Sequence, residues 1–241
     1  MAFQAVFKRY ELKYMITLSQ KESLLREMAP YMELDQYGRT TIRNIYYDTD
    51  TYLLIRRSID KPVYKEKLRL RSYGDGDGPA FAELKKKYAD VVYKRRLALP
   101  EGEAKSWIAG KTDFRNPTQI AKEVDYFIRS YEKLRPTVFL SYEREAYYAR
   151  DGSDFRVTFD DSIVCRQEEL SLKSPIYGAS ILPEGYVLME IKCSGGIPLW
   201  MTEILSRERI YKTSFSKYGT AYKTVIFPRL RGETTEVETN A

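Results

Sequence analysis

Histidine is absent from this 241-residue chain, and there are only two cysteines, Cys165 and Cys193. The first absence removes His-based triads, imidazole general acid–base chemistry and His metal sites together. The second leaves no disulfide framework and no cysteine spacing for a metal, and it fits a reducing cytoplasm. Long apolar runs are missing too. No segment approaches the roughly 20 residues that span a bilayer, and no signal-peptide pattern opens the chain. Low-complexity tracts, internal repeats and linkers are also lacking, so one domain is expected over 1–231, followed by an acidic, disordered tail at 232–241.

Positive charge is present in excess. Lys and Arg number 40 against 34 Asp and Glu, a net +6. The tail GETTEVETNA holds three of those acids, so residues 1–231 carry 40 basic against 31 acidic groups. Such a balance points to an anionic partner: nucleic acid, a phosphate compound or an acidic membrane surface. Composition does not choose among them.

Periodicity supplies the elements. Alternating runs predict strands at 7–16, 41–49, 62–73, 80–88, 91–99, 137–149, 154–165 and 186–193. GDGDGP at 74–79 reads as a hairpin turn. Helices are expected after a capping box at Ser19 and Glu22 and at 101–110. Another is expected at 118–134, with Ile120, Val124, Phe127, Ile128 and Tyr131 on one stripe, and the last two at 198–211 and 216–227. About eight antiparallel strands with a few helices suggest an α+β fold whose sheet closes on itself.

Within these strands the charges are sorted by face. In KLRLRSYG at 67–74, Lys67, Arg69 and Arg71 project one way, with Lys65 upstream, while Leu68 and Leu70 project the other. Arg9, Glu11 and Lys13 oppose Tyr10, Leu12 and Tyr14. Glu83 and Lys85 oppose Ala82 and Leu84, and Lys94 shares a face with Arg96. Arg156, Thr158 and Asp160 oppose Phe155, Val157 and Phe159; Glu190 and Lys192 oppose Val187, Met189 and Ile191. One reading is a sheet with a packed face and a solvated face. The other is a closed sheet whose charged faces line a central tunnel for a slender polyanion. Repetition favours the second, because each pair of like charges about 7 Å apart costs about 2 kcal/mol at an effective dielectric of 20. Aromatic rings on the charged faces look sparse, which argues against base stacking as the main recognition mode. Glu11, Glu83 and Glu190 stand among the cations either as salt-bridge partners or as hard-oxygen ligands for Mg²⁺ or Mn²⁺. The tyrosines at 10, 14 and 148 are expected to pack between wall and helices, and Trp107 and Trp200 to lie in the core.

Nine motifs, in order and without a large gap from residue 5 to about 227, carry a family resemblance. ELKY (11–14), YYDT (46–49), KLRLRSYG (67–74), AELK (82–85), YKRR (93–96), YER (142–144), FRVTFD (155–160), LMEIK (188–192) and SFSKY (214–218) resemble the polyphosphate-polymerase domain of the vacuolar transporter chaperone (VTC) family. That family lies within the CYTH superfamily of triphosphate tunnel metalloenzymes. The resemblance implies a closed eight-stranded antiparallel β-barrel with flanking helices. It also implies transfer of the terminal phosphoryl group of ATP to a growing polyphosphate chain with Mn²⁺ or Mg²⁺.

Carried onto this sequence, it assigns phosphate contacts to Lys13, Arg69, Arg71, Lys85, Arg144, Arg156 and Lys217. Lys94 or Arg96 joins them, Lys192 lines the tunnel, Ser216 supports phosphate at the start of the last helix, and Glu190 is the metal ligand. Glu11 and Glu83 belong to the same substrate surface. Hydrolases of the superfamily usually begin Glu-x-Glu-x-Lys, whereas here the stretch is Arg9-Tyr10-Glu11-Leu12-Lys13. The exchanged glutamate favours transfer over hydrolysis, since an anionic acceptor oxygen needs no carboxylate to deprotonate it. The alternatives are a polyphosphate-binding module without turnover and a metal-dependent tripolyphosphatase or nucleoside triphosphatase. ATP and polyphosphate are the expected partners, with no specific nucleic acid. The expected setting is cytoplasmic, any membrane association coming through a separate membrane protein.

Overall fold

The structure, a computed structural model, describes residues 10–89, 91–113 and 116–232. In chain order its elements begin β1 (Tyr10–Thr17), α1 (Leu18–Met28), β2 (Met32–Leu34), β3 (Thr40–Asp48) and α2 (Leu53–Ile59). They continue with β4 (Tyr64–Tyr73), β5 (Ala80–Tyr88), β6 (Val91–Leu99), α3 (Glu101–Ile108), α4 (Gln119–Arg129) and β7 (Arg135–Ala149). The chain then forms β8 (Arg156–Arg166), the two-residue β9 (Ala179–Ser180), β10 (Tyr186–Cys193) and α5 (Leu199–Arg207). It ends with α6 (Lys217–Ala221), a π-helical turn (Tyr222–Ile226) and α7 (Phe227–Leu230). The expected disordered tail lies, from residue 233 onward, outside the described residues, as does Arg9.

Two compact units divide the chain. The first comprises Met1–Thr41, Tyr142–Ile163 and Ser180–Ser216. Its strands run in the order β1-β10-β8, followed by the 142–149 half of β7, onto which β2 pairs. One face of this sheet is apolar, as alternation requires: Tyr14, Ile16, Val157, Phe159, Val187, Met189 and Ile191 are buried there against Leu24 and Met28 of α1 and Met201 and Ile204 of α5. Each large aliphatic side chain removed from water in this way contributes about 1.5–3 kcal/mol. The cap of α1 is Thr17 with Gln20, two residues before the expected Ser19–Glu22 pair. β1 runs straight into this helix, so its last residue is the first able to satisfy the open N–H groups.

The second unit comprises Ile42–Ser141, Val164–Ala179 and Lys217–Ala241. Its order is the 135–141 part of β7, then β3-β4-β5-β6, all antiparallel from β3 onward. Leu68, Leu70, Ala82 and Leu84 are buried beneath Trp107 and Ile108 of α3 and Val124, Phe127 and Ile128 of α4. α4 stops at Arg129, short of the expected 134, and Ile120 of its expected stripe is exposed. GDGDGP forms the turn between β4 and β5.

The α+β reading, antiparallel sheet with flanking helices, therefore holds. Barrel closure does not follow from the strand pairing. Apart from one isolated bridge between Tyr14 and Lys212, β1 pairs with β10 and β6 pairs with β5, so each remains an edge strand of the sheet among the described residues.

Candidate functional site

In each unit the face opposite the core carries the charge, and the register decides who meets whom. In the first unit Lys13 lies opposite Glu190 and Glu11 opposite Lys192, while on the other side of β10 Glu190 faces Thr158 and Lys192 faces Arg156. Acid thus sits beside base. The Glu190 carboxylate, 4% exposed, has Lys13 Nζ 3.4 Å from Oε1, Lys192 Nζ 3.1 Å from Oε2 and Arg144 Nη2 at 4.0 Å. Arg144 donates two parallel hydrogen bonds to Asp160, at 2.6 and 2.7 Å, and Glu11 lies 4.0 Å from Lys192. Burial pushes the Lys192 ammonium down toward losing its proton, against the pull of Glu190. Burial also opposes the charge of Arg144, but Tyr142, Asp160 and Glu190 outweigh it and hold the proton tightly.

The SFSKY segment is tied to this cluster. Lys13 donates to the Phe215 carbonyl at 2.8 Å, and Thr213 N–H donates to the Lys13 carbonyl at 2.7 Å. Ser216 follows as a half-buried residue of the same unit. Arg156 lies over the Tyr148 ring, 4.5 Å from its centroid, and its buried Nε has no hydrogen-bond partner. The fully buried Thr158 hydroxyl lacks one as well. A buried unmade hydrogen bond costs about 1–3 kcal/mol. Thr158→Val, an isosteric change suited to a strand, is therefore expected to raise unfolding stability by about 1 kcal/mol in the ligand-free protein. Denaturant titration checks this, and a loss of similar size would mean that the hydroxyl is already satisfied.

The second unit is more lopsided. Lys65, Lys67, Arg69, Arg71, Lys85, Lys87, Lys94 and Arg96 share one face of β4–β6, and the register sets Lys65 opposite Lys87, Lys67 opposite Lys85, and Lys85 opposite Lys94. Glu83 is the single carboxylate of that face on these three strands among the described residues. Both candidates of the YKRR motif, Lys94 and Arg96, lie on it. Glu83 holds three arginines: Arg69 Nη2 at 2.7 Å, Arg96 Nε at 3.5 Å and Arg71 Nε at 3.7 Å. Burial alone would raise its pKa, but these ion pairs win and draw it down to about 2.

Residues that the sequence did not single out complete the cluster. Tyr46 hydroxyl accepts from Arg69 at 3.0 Å, and Asn44 Oδ1 accepts from Arg71 Nε at 2.9 Å. The Asn44 amide is itself oriented by donating to the Leu140 carbonyl at 3.0 Å. Tyr46 stacks on Tyr218 at 4.7 Å, whose hydroxyl donates to buried Asp48 at 2.9 Å. Asp48 in turn accepts the Leu54 and Ile55 N–H groups at the start of α2, at 2.8 and 2.9 Å. The signal available was the parity of Asn44 and Tyr46 on β3, which puts them opposite Arg71 and Arg69. Lys217 begins α6 and is buried in this unit.

Three expectations need correction. Tyr14 packs in the core, but Tyr10 is exposed and Tyr148, 40% exposed, lies beneath Arg156 on the charged side. Aromatics on the charged faces are also less sparse than alternation suggested, since Tyr46, Tyr73 and Phe81 share the face of the arginines they contact. Trp107 is core as expected, whereas Trp200 is half-buried and stacks on Tyr31.

No group of three or more His, Cys, Asp or Glu side chains among the described residues could hold a metal. The first unit offers two buried carboxylates: Asp160, taken up by Arg144, and Glu190, next to the orphaned Thr158 hydroxyl. Mg²⁺-like ions are commonly held by one or two carboxylates with substrate phosphates completing the shell. The residues fit that mode and not an all-protein cage.

Fold and faces together define an α+β protein that presents concentrated positive charge on its strands. The chain belongs to the VTC domain family, whose sequence model matches residues 8–226. It is similar to vacuolar transporter chaperone complex subunit 4 of Trypanosoma cruzi, 22% identical over 273 residues, covering 89% of this chain and 34% of that protein. The same-named subunit of Trypanosoma brucei brucei is 22% identical over 272 residues with the same shares. The chain thus spans about a third of the length of these curated relatives. A solved Bacillus halodurans structure, named as a candidate adenylate cyclase, superposes with a TM-score of 0.53 at 15% identity, over 88% of this chain and 94% of that one. That likeness concerns the fold alone. No helix among the described residues is long and apolar enough to cross a membrane.

Proposed function

We propose that this chain is a polyphosphate polymerase, transferring the terminal phosphoryl group of ATP to a growing polyphosphate chain in a basic tunnel. The observation that carries the reading is the face of β4–β6, eight cations against one carboxylate among the described residues, in a chain of the VTC domain family. Lysines set directly opposite lysines repel one another, and a polyanion with a charge on every phosphate relieves that repulsion along its length.

In the transfer, the bond between the γ-phosphorus and the β–γ bridging oxygen breaks, and a new bond forms to the terminal oxygen of the chain. ADP leaves with the electron pair. The acceptor oxygen is already anionic at neutral pH, so the residues have to place it and neutralise charge rather than remove a proton. Arg69 and Arg71, held by Glu83, Tyr46 and Asn44, are fixed cations for that purpose and need little reorganisation. Bound at Glu190 and phosphate oxygens, Mn²⁺ or Mg²⁺ would supply Lewis-acid neutralisation of the triphosphate. Lys13, Lys192 and Arg144 surround that carboxylate and supply positive charge beside it.

Hydrolysis is the weaker reading. Glu83 is engaged by three arginines and Glu11 lies beside Lys192, so neither is set apart to position water. A separate membrane protein is the partner proposed to receive the product.

Purified protein incubated with ATP and Mn²⁺ should release ADP and form matching long-chain polyphosphate on a gel. Free phosphate without polymer would establish the hydrolase instead, and tight polyphosphate binding without turnover would establish a binding module.

A further inference from the structure

Arg96 differs from the other cations of its face. Its guanidinium carbon sits over Phe81, 3.7 Å from the ring centroid, and 5.5 Å from that of Tyr73. The two rings meet edge to face at 5.8 Å and form a corner beneath it. In-plane contacts fix its orientation: Nη2 donates to the Tyr73 hydroxyl at 3.0 Å, and Nε lies 3.5 Å from Glu83 Oε1. Arg69 likewise turns its fork to Glu83 and a tyrosine hydroxyl, but its side chain is 23% exposed and its guanidinium carbon lies 5.8 Å from the Tyr46 ring centroid. The Arg96 side chain, by contrast, is 44% exposed. Arg96 thus combines close contact with the Phe81 ring and a side chain open to solvent.

Guanidinium planes and aromatic rings are the surfaces on which unpaired nucleobases stack. The surface is well placed for one, because Glu83 shares its two oxygens between Arg96 and Arg69, on Oε1 and Oε2. A nucleobase on Arg96 would therefore lie one carboxylate away from the arginine assigned to phosphate.

We propose that Arg96, backed by Phe81 and Tyr73, is a nucleobase shelf that makes a nucleoside triphosphate a better ligand than bare triphosphate. This deepens the polymerase reading and rests on it, since it assigns the part of the donor that the phosphate-binding cations do not touch. Stacking is indifferent to which base is bound, so the shelf selects nucleotides as a class.

Calorimetric titration of the full chain with ATP and, in parallel, with tripolyphosphate tests this. Arg96→Lys keeps the charge and removes the plane; Phe81→Leu keeps the charge and removes the support. In each variant the ratio of ATP affinity to tripolyphosphate affinity should fall about 10-fold from the unmodified chain's value. If both ligands weaken in step, Arg96 is a phosphate contact and the shelf is overturned; an unchanged ratio overturns it equally. The polymerase reading fails separately. A chain that makes no polymer from ATP, yet shows the shift in ratio, keeps the shelf and loses the reaction.

Discussion

Glu190→Gln should lose ATP-to-polyphosphate turnover on the order of 100-fold and unfolding stability of about 3 kcal/mol. The two losses share one cause. The glutamate carboxylate is buried with one ammonium near each oxygen, Lys13 at 3.4 Å and Lys192 at 3.1 Å, and the Arg144 guanidinium close by. Glutamine preserves the volume, so packing is unchanged, but it removes the negative charge these cations share. Deleting one partner of a buried ion pair leaves the others uncompensated in a poorly solvated place, which costs about 3–5 kcal/mol. Catalysis suffers because the buried carboxylate bracketed this way is also the residue proposed to meet a divalent cation. Stability is read by denaturant titration and turnover by ADP release. Added tripolyphosphate should then stabilise the variant more than the unmodified protein, because it supplies the missing negative charge and binds only the folded state. Full turnover in the variant would take Glu190 out of the site, and equal stabilisation of both proteins would take the surrounding cations out of it.

How much of this cluster the sequence revealed follows from what alternation can and cannot encode. Period two fixes the face of a residue, so the cations of KLRLRSYG and the buried Leu68 and Leu70 were legible at once. It does not fix the partner. That Lys13 faces Glu190 is a matter of register between strands far apart in the chain, and the pairing of Arg144 with Asp160 depends on how the consecutive strands β7 and β8 align. Asp160 could be placed on the right face from sequence, but its role as the anchor of Arg144 could not.

Helix α2 was missed for a related reason. It is 7 residues long, its N-cap Tyr52 has φ of 56° and no capping side chain, and its first N–H groups are accepted upstream, that of Leu53 by Thr49 and those of Leu54 and Ile55 by Asp48 at the end of β3. No local signature marks such a start. Closure of the sheet was inferred from strand count, and strand count does not determine whether edge strands meet. The aromatics on the charged faces were overlooked because Tyr73 and Phe81 flank the hairpin turn, where runs of charge give way to mixed residues and parity is harder to follow.

Glu83→Gln should show the opposite balance: a loss of stability that depends on pH. In the folded chain the carboxyl is held at about 2, because the ion pairs with Arg69, Arg71 and Arg96 outweigh the opposing effect of burial. In the unfolded chain it returns to the ordinary 4.5. A depressed folded pKa contributes stability that is fully present above the unfolded value and is lost as pH falls toward the folded one. The difference of roughly 2.5 units corresponds to about 3 kcal/mol. The unmodified protein should therefore exceed the glutamine variant by about 3 kcal/mol at pH 6, and about 2 kcal/mol of that advantage should be gone by pH 3. Denaturant titrations of both proteins at a series of pH values measure the gap directly. A gap that stays constant with pH would mean that the carboxylate serves only as a hydrogen-bond acceptor, a part glutamine can play. At neutral pH the variant should also bind tripolyphosphate more tightly, because the carboxylate that three arginines share no longer competes with the ligand for their charge. Tighter binding together with slower transfer would identify Glu83 as the residue that keeps these arginines in position: it competes mildly with phosphate for their charge and holds them in the arrangement that transfer requires.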